Sequence, residues 1–158
     1  MSPLSHVGPD GKARMVDVSA KAETERRAIA SGSIRMNQTA FDAIQGNSLA
    51  KGDALAVARV AGVMAAKRTA ELVPLCHQLP LTDVRISLVP DSALPGIRCE
   101  AEVRTVGRTG VEMEAIVAVS ISLVTIYDMA KSADRNMRIS YIALDLKSGG
   151  KSGEWRRG

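Results

Sequence analysis

Apolar residues recur along this chain with the spacings of strands and helices. An extended segment is expected over 25–36, followed by a short helix over 37–44 that Gly46 ends. An alanine-rich run at about 52–72 predicts a long helix, because alanine is the best helix former and Pro74 closes the run.

Four later features complete the pattern. Segments 84–88 and 97–103 alternate apolar and polar residues, which predicts an antiparallel hairpin. The apolar segment 111–131 is ambiguous, because its β-branched residues favour strands. Its length of about 20 residues without glycine or proline exceeds a usual strand, so we predict a helix buried on most of its circumference. Alternation that changes phase within 137–146 predicts a last strand with a bulge.

This order predicts an α+β domain of ferredoxin-like βαββαβ topology, with two helices packed on one face of a four-stranded antiparallel sheet. Because the segment 111–131 is apolar nearly all round, we expect more than one surface to bury it, including a subunit interface with twofold symmetry. The 158 residues divide into a flexible arm at 1–14, a single catalytic domain at 15–147 and a Gly/Lys-rich tail at 148–158.

Composition narrows the function without deciding it. The 21 basic and 17 acidic residues leave a net charge of +4, which suits an anionic small molecule at least as well as a polynucleotide. Aromatic residues are too few for the stacking platforms that bind single-stranded nucleic acid. Cys76 and Cys99 lack the spacing of a disulfide framework or a zinc site. With no signal peptide or membrane-spanning run predicted, we expect a cytoplasmic protein without nucleic-acid or membrane partners.

Two groups of charged residues flank the apolar segment. Asp128 and Lys131 are three residues apart and share a helix face, either as an ordinary surface ion pair or as a desolvated lysine that the aspartate tunes for acid–base chemistry. Glu112 and Glu114 lie at the other end, where they either favour the helix N-terminus through its dipole or contribute to a site.

The two groups are too far apart to act together within one chain. Glu114 and Asp128 project from nearly the same side of the predicted helix but are separated by about 21 Å along its axis. If two such helices pair antiparallel about a dyad, Glu114 of one subunit approaches Asp128 and Lys131 of the other. This hypothesis puts a shared site at a subunit interface.

Two other segments are candidates for ligand contact. The loop from Pro74 to His77 is irregular and stiff, and His77 either contacts a substrate or bonds to the backbone. The glycine-rich segment 147–153 resembles an anion-binding tail, although its spacing differs from a Walker A motif and a disordered C-terminus is the alternative. Lys51, taken alone, indicates a solvated lysine.

Motifs spread over nearly the whole chain are similar to those of one known family. They are Met15-Val-Asp-Val18, Ala50-Lys-Gly-Asp53, Ala65-Ala-Lys-Arg-Thr69, Pro74-Leu-Cys-His77, Thr109-Gly-Val-Glu-Met-Glu114, Thr125-Ile-Tyr-Asp-Met129, Lys131 and Lys147-Ser-Gly-Gly-Lys-Ser-Gly153. Together they resemble the molybdenum cofactor biosynthesis protein C family, which is a family of cyclic pyranopterin monophosphate synthases.

The resemblance implies a ferredoxin-like subunit that assembles as a hexamer, a trimer of dimers with the active site at the dimer interface. It implies a lyase that converts (8S)-3′,8-cyclo-7,8-dihydroguanosine 5′-triphosphate to cyclic pyranopterin monophosphate and diphosphate. Such a reaction needs proton transfers and a stabilised leaving group, so no redox cofactor is required. A Mg²⁺ ion that accompanies the triphosphate is left open.

The same resemblance implies residue roles. The catalytic positions are Asp128, Lys131 and Lys51. The substrate-binding positions are Leu75, Cys76, His77, Glu112, Met113 and Glu114, with Lys67, Arg68, Lys147 and Lys151 added for the triphosphate on their charge. No metal ligands are predicted.

Two alternative functions stay open. One is a non-catalytic ferredoxin-like domain that binds a small ligand, because the same sandwich serves many binding modules. The other is an RNA-binding module of the same topology, which the scarcity of aromatic residues on the middle strands disfavours.

Overall fold

The structure, a computed structural model, describes Val7 and residues 10–158. Residues 1–6, 8 and 9, which belong to the expected N-terminal arm, lie outside the described residues. The elements are β1 (Thr24–Arg35), α1 (Gln38–Gln45), α2 (Ala54–Lys67), α3 (Thr69–Leu72), β2 (Leu81–Asp91), β3 (Gly96–Gly107), α4 (Glu112–Ala130), β4 (Arg138–Ser148) and β5 (Trp155–Arg156).

The strands form one antiparallel sheet in the order β2, β3, β1, β4, β5. Helices α2 and α4 pack against each other and against this sheet, which confirms the predicted α+β ferredoxin-like fold. The sheet has five strands instead of the predicted four, because Trp155 and Arg156 pair with Lys147 and Leu146 of β4. A two-residue strand carries no alternation of apolar and polar residues, so the sequence pattern did not indicate it.

The predicted buried helix is confirmed as α4. Its residues Val119, Leu123 and Ile126 are fully buried in the core, where they meet the apolar face of the sheet. By length and composition alone this 19-residue helix could cross a membrane, but half of its apolar window is buried inside the protein. Within this domain, α4 is therefore the central core helix.

The alanine-rich run at 52–72 forms two helices, so the prediction of one continuous helix was wrong. The break lies at Arg68, whose backbone leaves the helical conformation with φ −112°. The hydroxyl of Thr69 donates to the carbonyl groups of Ala65 and Ala66, and these bonds compete with the backbone donors that would continue the helix. The short helix α3 then leads into the Pro74 loop.

The predicted bulge in the last strand is confirmed. The pairing of β1 with β4 shifts register between Ser31 and Ser33, and Tyr141 adopts a positive φ of 58° beside this shift. Cys99, on β3, is buried in the core, with 2% of its surface exposed.

A close contact between α2 and α4 gives the first testable prediction. A Cβ atom added at Gly62 would collide with Ser122 Oγ and lie 3.1 Å from the Ala118 carbonyl oxygen. Gly62→Ala should therefore lower the free energy of unfolding by about 1–3 kcal/mol, although alanine is intrinsically the better helix former. Urea unfolding measures this change. The double variant Gly62→Ala/Ser122→Ala, which removes the colliding hydroxyl, should recover part of the loss; a Gly62→Ala variant as stable as the original protein would contradict this packing.

Candidate active site

Three charged side chains meet at the C-terminal end of α4. Asp128 Oδ2 lies 2.6 Å from Lys51 Nζ, and Asp128 Oδ1 lies 2.8 Å from Lys131 Nζ. Lys51 Nζ also donates to the Asp128 backbone carbonyl at 3.1 Å. Lys51 precedes Gly52, which adopts φ +90°, and Asp53, which caps α2. The turn before α2 therefore carries Lys51 to the carbonyl end of α4, where a cation is favourable.

The two lysines hold Asp128 in its charged form. Hydrogen bonds from Lys131 and Lys51 lower the pKa of Asp128 to about 2, and the aspartate in turn raises the pKa of Lys131. About half of each side chain is exposed, so Lys131 is not desolvated within one subunit. The expectation of a desolvated lysine is therefore not met by the single chain, in which Lys131 is a stably charged ammonium group.

A small cavity lies at the opposite, N-terminal end of α4. Its volume is about 170 Å³. It is lined by Leu75, Cys76, His77, Leu79, Thr109, Gly110, Glu112, Met113 and Glu114. All six residues for which the resemblance implies substrate contact lie in this lining, although they come from two distant parts of the sequence. A Cβ atom at Gly110 would collide with the carboxylate of Glu112, so a side chain at this position would require the Glu112 side chain to move.

Burial changes the acid–base properties of this cavity. Glu114 is only 4% exposed, and its burial, together with the nearby charge of Glu112, raises its pKa to about 7. Burial also raises the pKa of the Cys76 thiol, with the two glutamates adding to the effect. Glu114 can therefore gain or lose a proton near neutral pH, whereas Cys76 is held as a thiol.

The raised pKa of Glu114 predicts a pH-dependent stability. Between its ordinary value of 4.5 and about 7, the folded protein binds more protons at this site than the unfolded chain does, so the free energy of unfolding falls as pH rises through this window. The loss from this group is on the order of 3 kcal/mol. Urea unfolding at pH 5 and pH 8 should show a smaller decline for Glu114→Gln than for the original protein. Equal declines would show that Glu114 titrates normally.

Two contacts orient other residues around the same cavity. His77 Nε2 donates to the Val16 carbonyl oxygen at 2.9 Å. His77 thus both bonds to the backbone and lines the cavity, so the two predicted roles are compatible. Lys147 Nζ lies 3.2 Å from Glu112 Oε1. The sequence indicated Glu112 and Lys147 as candidates but did not indicate that they pair.

The remaining candidates for the triphosphate are dispersed. Lys67 lines a depression that also includes Leu79, a residue of the cavity wall. Arg68 and Lys151 are exposed, at the end of α2 and in the turn after β4. Arg26, whose guanidinium donates to the carbonyl groups of Gly107, Arg108 and Gly149, was not predicted from the sequence, because no motif distinguishes this arginine from its neighbour Arg27.

Comparison with known proteins gives one consistent result. The family model described as the MoaC family matches residues 15–150. A curated cyclic pyranopterin monophosphate synthase of Dinoroseobacter shibae is 55% identical over 155 residues, which cover 98% of both chains. The synthase of the same name from Brucella ovis is 53% identical over 152 residues, or 96% of this chain and 92% of that one. This similarity extends over the whole described fold and both ends of α4, and the chain belongs to the MoaC family.

Proposed function

We propose that this protein is a cyclic pyranopterin monophosphate synthase of molybdenum cofactor biosynthesis. It would convert 3′,8-cyclo-7,8-dihydroguanosine triphosphate to cyclic pyranopterin monophosphate and diphosphate. The observation that carries the proposal is the convergence of Lys51 and Lys131 on the Asp128 carboxylate, with both ammonium groups within 2.8 Å of it. Relatives of that name are more than half identical to this chain.

The charges at the two ends of α4 suit different parts of such a reaction. Lys131 and Lys51 are cations, and Lys131 is a proton donor whose charge Asp128 maintains. Glu114, with a pKa of about 7, can accept a proton and release it again at cellular pH. Ring opening and ring closure need protons to be both given and taken. Glu114 can do both at one end of α4, and the lysines at the other end add positive charge and a proton donor.

Two copies of the chain would complete the site. The cavity of about 170 Å³ is smaller than usual ligand pockets, which enclose about 300–1,000 Å³. Asp128 lies about 21 Å from Glu114 along α4, and Lys131 lies about one turn farther. Within one subunit, a nucleotide-derived triphosphate therefore cannot contact both the cavity and the charged group at the other end of α4. An antiparallel partner helix would bring its own Asp128 and Lys131 to the cavity.

The exposed surface of the helices supports such pairing. On α4, the residues that face away from the sheet follow one stripe with spacings of three and four, namely Met113, Val117, Ile121, Val124 and Asp128. The neighbouring face of α2 exposes Val57, Val60 and Met64 by 45–60%. Apolar side chains in such a patch are typical of a surface that another subunit covers. A dimer through this face, repeated as a trimer of dimers, is the assembly we propose.

Basic residues would receive the triphosphate. Lys147, Lys67, Arg68 and Lys151 are the candidates, and Lys147 is nearest because it already pairs with Glu112. Release of diphosphate with formation of a cyclic phosphate places the enzyme among the lyases. The proposed chemistry uses no redox cofactor, permits Mg²⁺ on the triphosphate and belongs in the cytoplasm.

The experiment is direct. Purified protein is incubated with the cyclic dihydroguanosine triphosphate, and diphosphate release and the pterin product are measured by a coupled assay and by mass spectrometry. We expect diphosphate and cyclic pyranopterin monophosphate in equal amounts. Folded protein that binds this compound without releasing diphosphate would instead identify a non-catalytic ligand-binding domain.

A further inference from the structure

Arg26 joins three segments of the chain through its guanidinium group. From β1, its Nε donates to the Gly107 carbonyl at 3.3 Å, Nη2 to the Arg108 carbonyl at 3.4 Å and Nη1 to the Gly149 carbonyl at 3.3 Å. The planar fork of arginine can reach acceptors on different sides at once, which lysine cannot do. Among the described residues, Arg26 forms no ion pair with a carboxylate. We name this set of three bonds the Arg26 clamp.

The segments that the clamp joins are those that carry Glu112 and Lys147. Gly107 and Arg108 begin the turn that leads into α4 and its first residue, Glu112. Gly149 follows Lys147 by two residues. The carboxylate and the ammonium group meet at 3.2 Å. The clamp, together with the pairing of Lys147 with Ala28 of β1 and Trp155 of β5, therefore fixes the distance between the two backbones from which this ion pair extends.

The clamp also explains the glycine pair in the segment 147–153. Gly149 and Gly150 adopt φ +102° and φ +72°, which favour glycine. A Cβ atom at Gly149 would collide with the Glu25 carbonyl oxygen, and one at Gly150 would collide with the Arg26 guanidinium. The two glycines thus let the backbone lie directly against Arg26. Their freedom serves this close approach, in addition to any contact with an anion.

We propose that Arg26 is a positioning residue that acts through Lys147. In this inference, which rests on the proposed function, the clamp holds the end of β4 so that the Lys147 ammonium group stays beside Glu112 at the cavity, ready for the triphosphate. Loss of the clamp would release the glycine segment and displace Lys147. Binding of the substrate would weaken, while Asp128 and Lys131, at the other end of α4, would keep their geometry.

A double-mutant cycle tests this coupling. Arg26→Ala should raise KM for the cyclic dihydroguanosine triphosphate about tenfold and change kcat by less than about twofold, because a charged contact to substrate is weakened and the chemistry is not. In a Lys147→Ala background, Arg26→Ala should change KM by less than about twofold. Gly149→Ala should reproduce the effect of Arg26→Ala. The matched control is Arg85→Ala, which removes an exposed strand arginine paired with Asp83 at the other edge of the sheet; its KM should be unchanged.

A second measurement does not depend on activity. Trp155, the only tryptophan, pairs with Lys147 and reports on the same segment. Arg26→Ala should increase the quenching of Trp155 fluorescence by acrylamide, and Arg85→Ala should not. If the alanine variant melts well below the original protein, Arg26→Lys, which keeps the charge but loses the fork, takes its place in both measurements.

The outcomes separate this inference from the proposed function. A protein that forms no product refutes the proposed function, and Trp155 quenching then still tests the clamp. Independent, additive effects of Arg26→Ala and Lys147→Ala on KM would overturn the coupling, as would a fall in kcat with unchanged KM. Unchanged quenching of Trp155 would overturn the clamp itself.

Discussion

Replacing Lys131 with alanine is expected to lower kcat about 1,000-fold with little change in stability. Its ammonium group is the partner of Asp128 at 2.8 Å and is charged over the whole physiological range, because the aspartate raises its pKa. The side chain is half exposed, so its removal leaves no cavity in the core. Steady-state kinetics with the cyclic dihydroguanosine triphosphate measure the loss.

The matched control for Lys131 is Lys12→Ala. Lys12 is also paired with an aspartate, Asp10 at 3.9 Å, but it lies on the exposed N-terminal segment. Its replacement should leave kcat and KM unchanged. If Lys131→Ala kept more than about one tenth of the original kcat, Lys131 would not be the proton donor and the assignment of the catalytic end of α4 would be wrong.

Asp128→Asn is expected to lower kcat about 100-fold and to move the alkaline limit of activity to lower pH. A neutral amide cannot balance two ammonium groups that lie within 2.8 Å of the same position. The pKa of Lys131 is raised mainly by Asp128, so this pKa falls when the carboxylate is lost. The protonated, active form of Lys131 then disappears at a lower pH. A profile of kcat against pH measures both effects.

Asp91→Asn controls for the loss of an aspartate. Asp91 forms an ion pair with Arg98, and the Asp91 side chain is 19% exposed. This pair lies at the end of β2, away from α4. This variant should retain the pH profile of the original protein. An Asp128→Asn variant with reduced kcat but an unmoved alkaline limit would show that Lys131 does not act as the acid.

The fold could be predicted from the sequence because most elements are long and periodic. Alternation at 84–88 and 97–103 indicated β2 and β3, and the long, mostly apolar run indicated α4. Its length decided between helix and strand for α4. The break at Arg68 was missed because it depends on where one hydroxyl, that of Thr69, finds its acceptors. β5 was missed because a strand of two residues is too short to show an alternation of apolar and polar positions.

The sequence predicted which residues belong to the candidate site better than it predicted how they are arranged. Resemblance to a family indicated Lys51, Asp128 and Lys131, and the helical spacing indicated that the last two share a face. That Lys51 completes this group depends on the turn at Gly52, which no local pattern reveals. The pairing of Lys147 with Glu112 and the three bonds of Arg26 depend on strand register and on backbone carbonyl groups, which carry no sequence signature.

One expectation about the site concerned the environment of Lys131. The long apolar run suggested that its end would be desolvated, yet the run ends where the helix emerges from the core, and Lys131 extends into solvent. At the other end of α4, Glu114 is buried, because its side chain lines the cavity beside the Pro74 loop. Burial therefore depends on what covers each end of α4, which its own sequence does not specify.

The central claim is that each active site takes Glu114 from one subunit and Lys131 from another. The most direct test mixes two inactive variants, Glu114→Ala and Lys131→Ala, by joint refolding in equal amounts. If sites are shared in a dyad, half of the dimers contain both variants and each of these has one intact site, so the mixture should recover about a quarter of the original activity. A mixture as inactive as its two components would contradict the account, because it would mean that both residues act from the same chain.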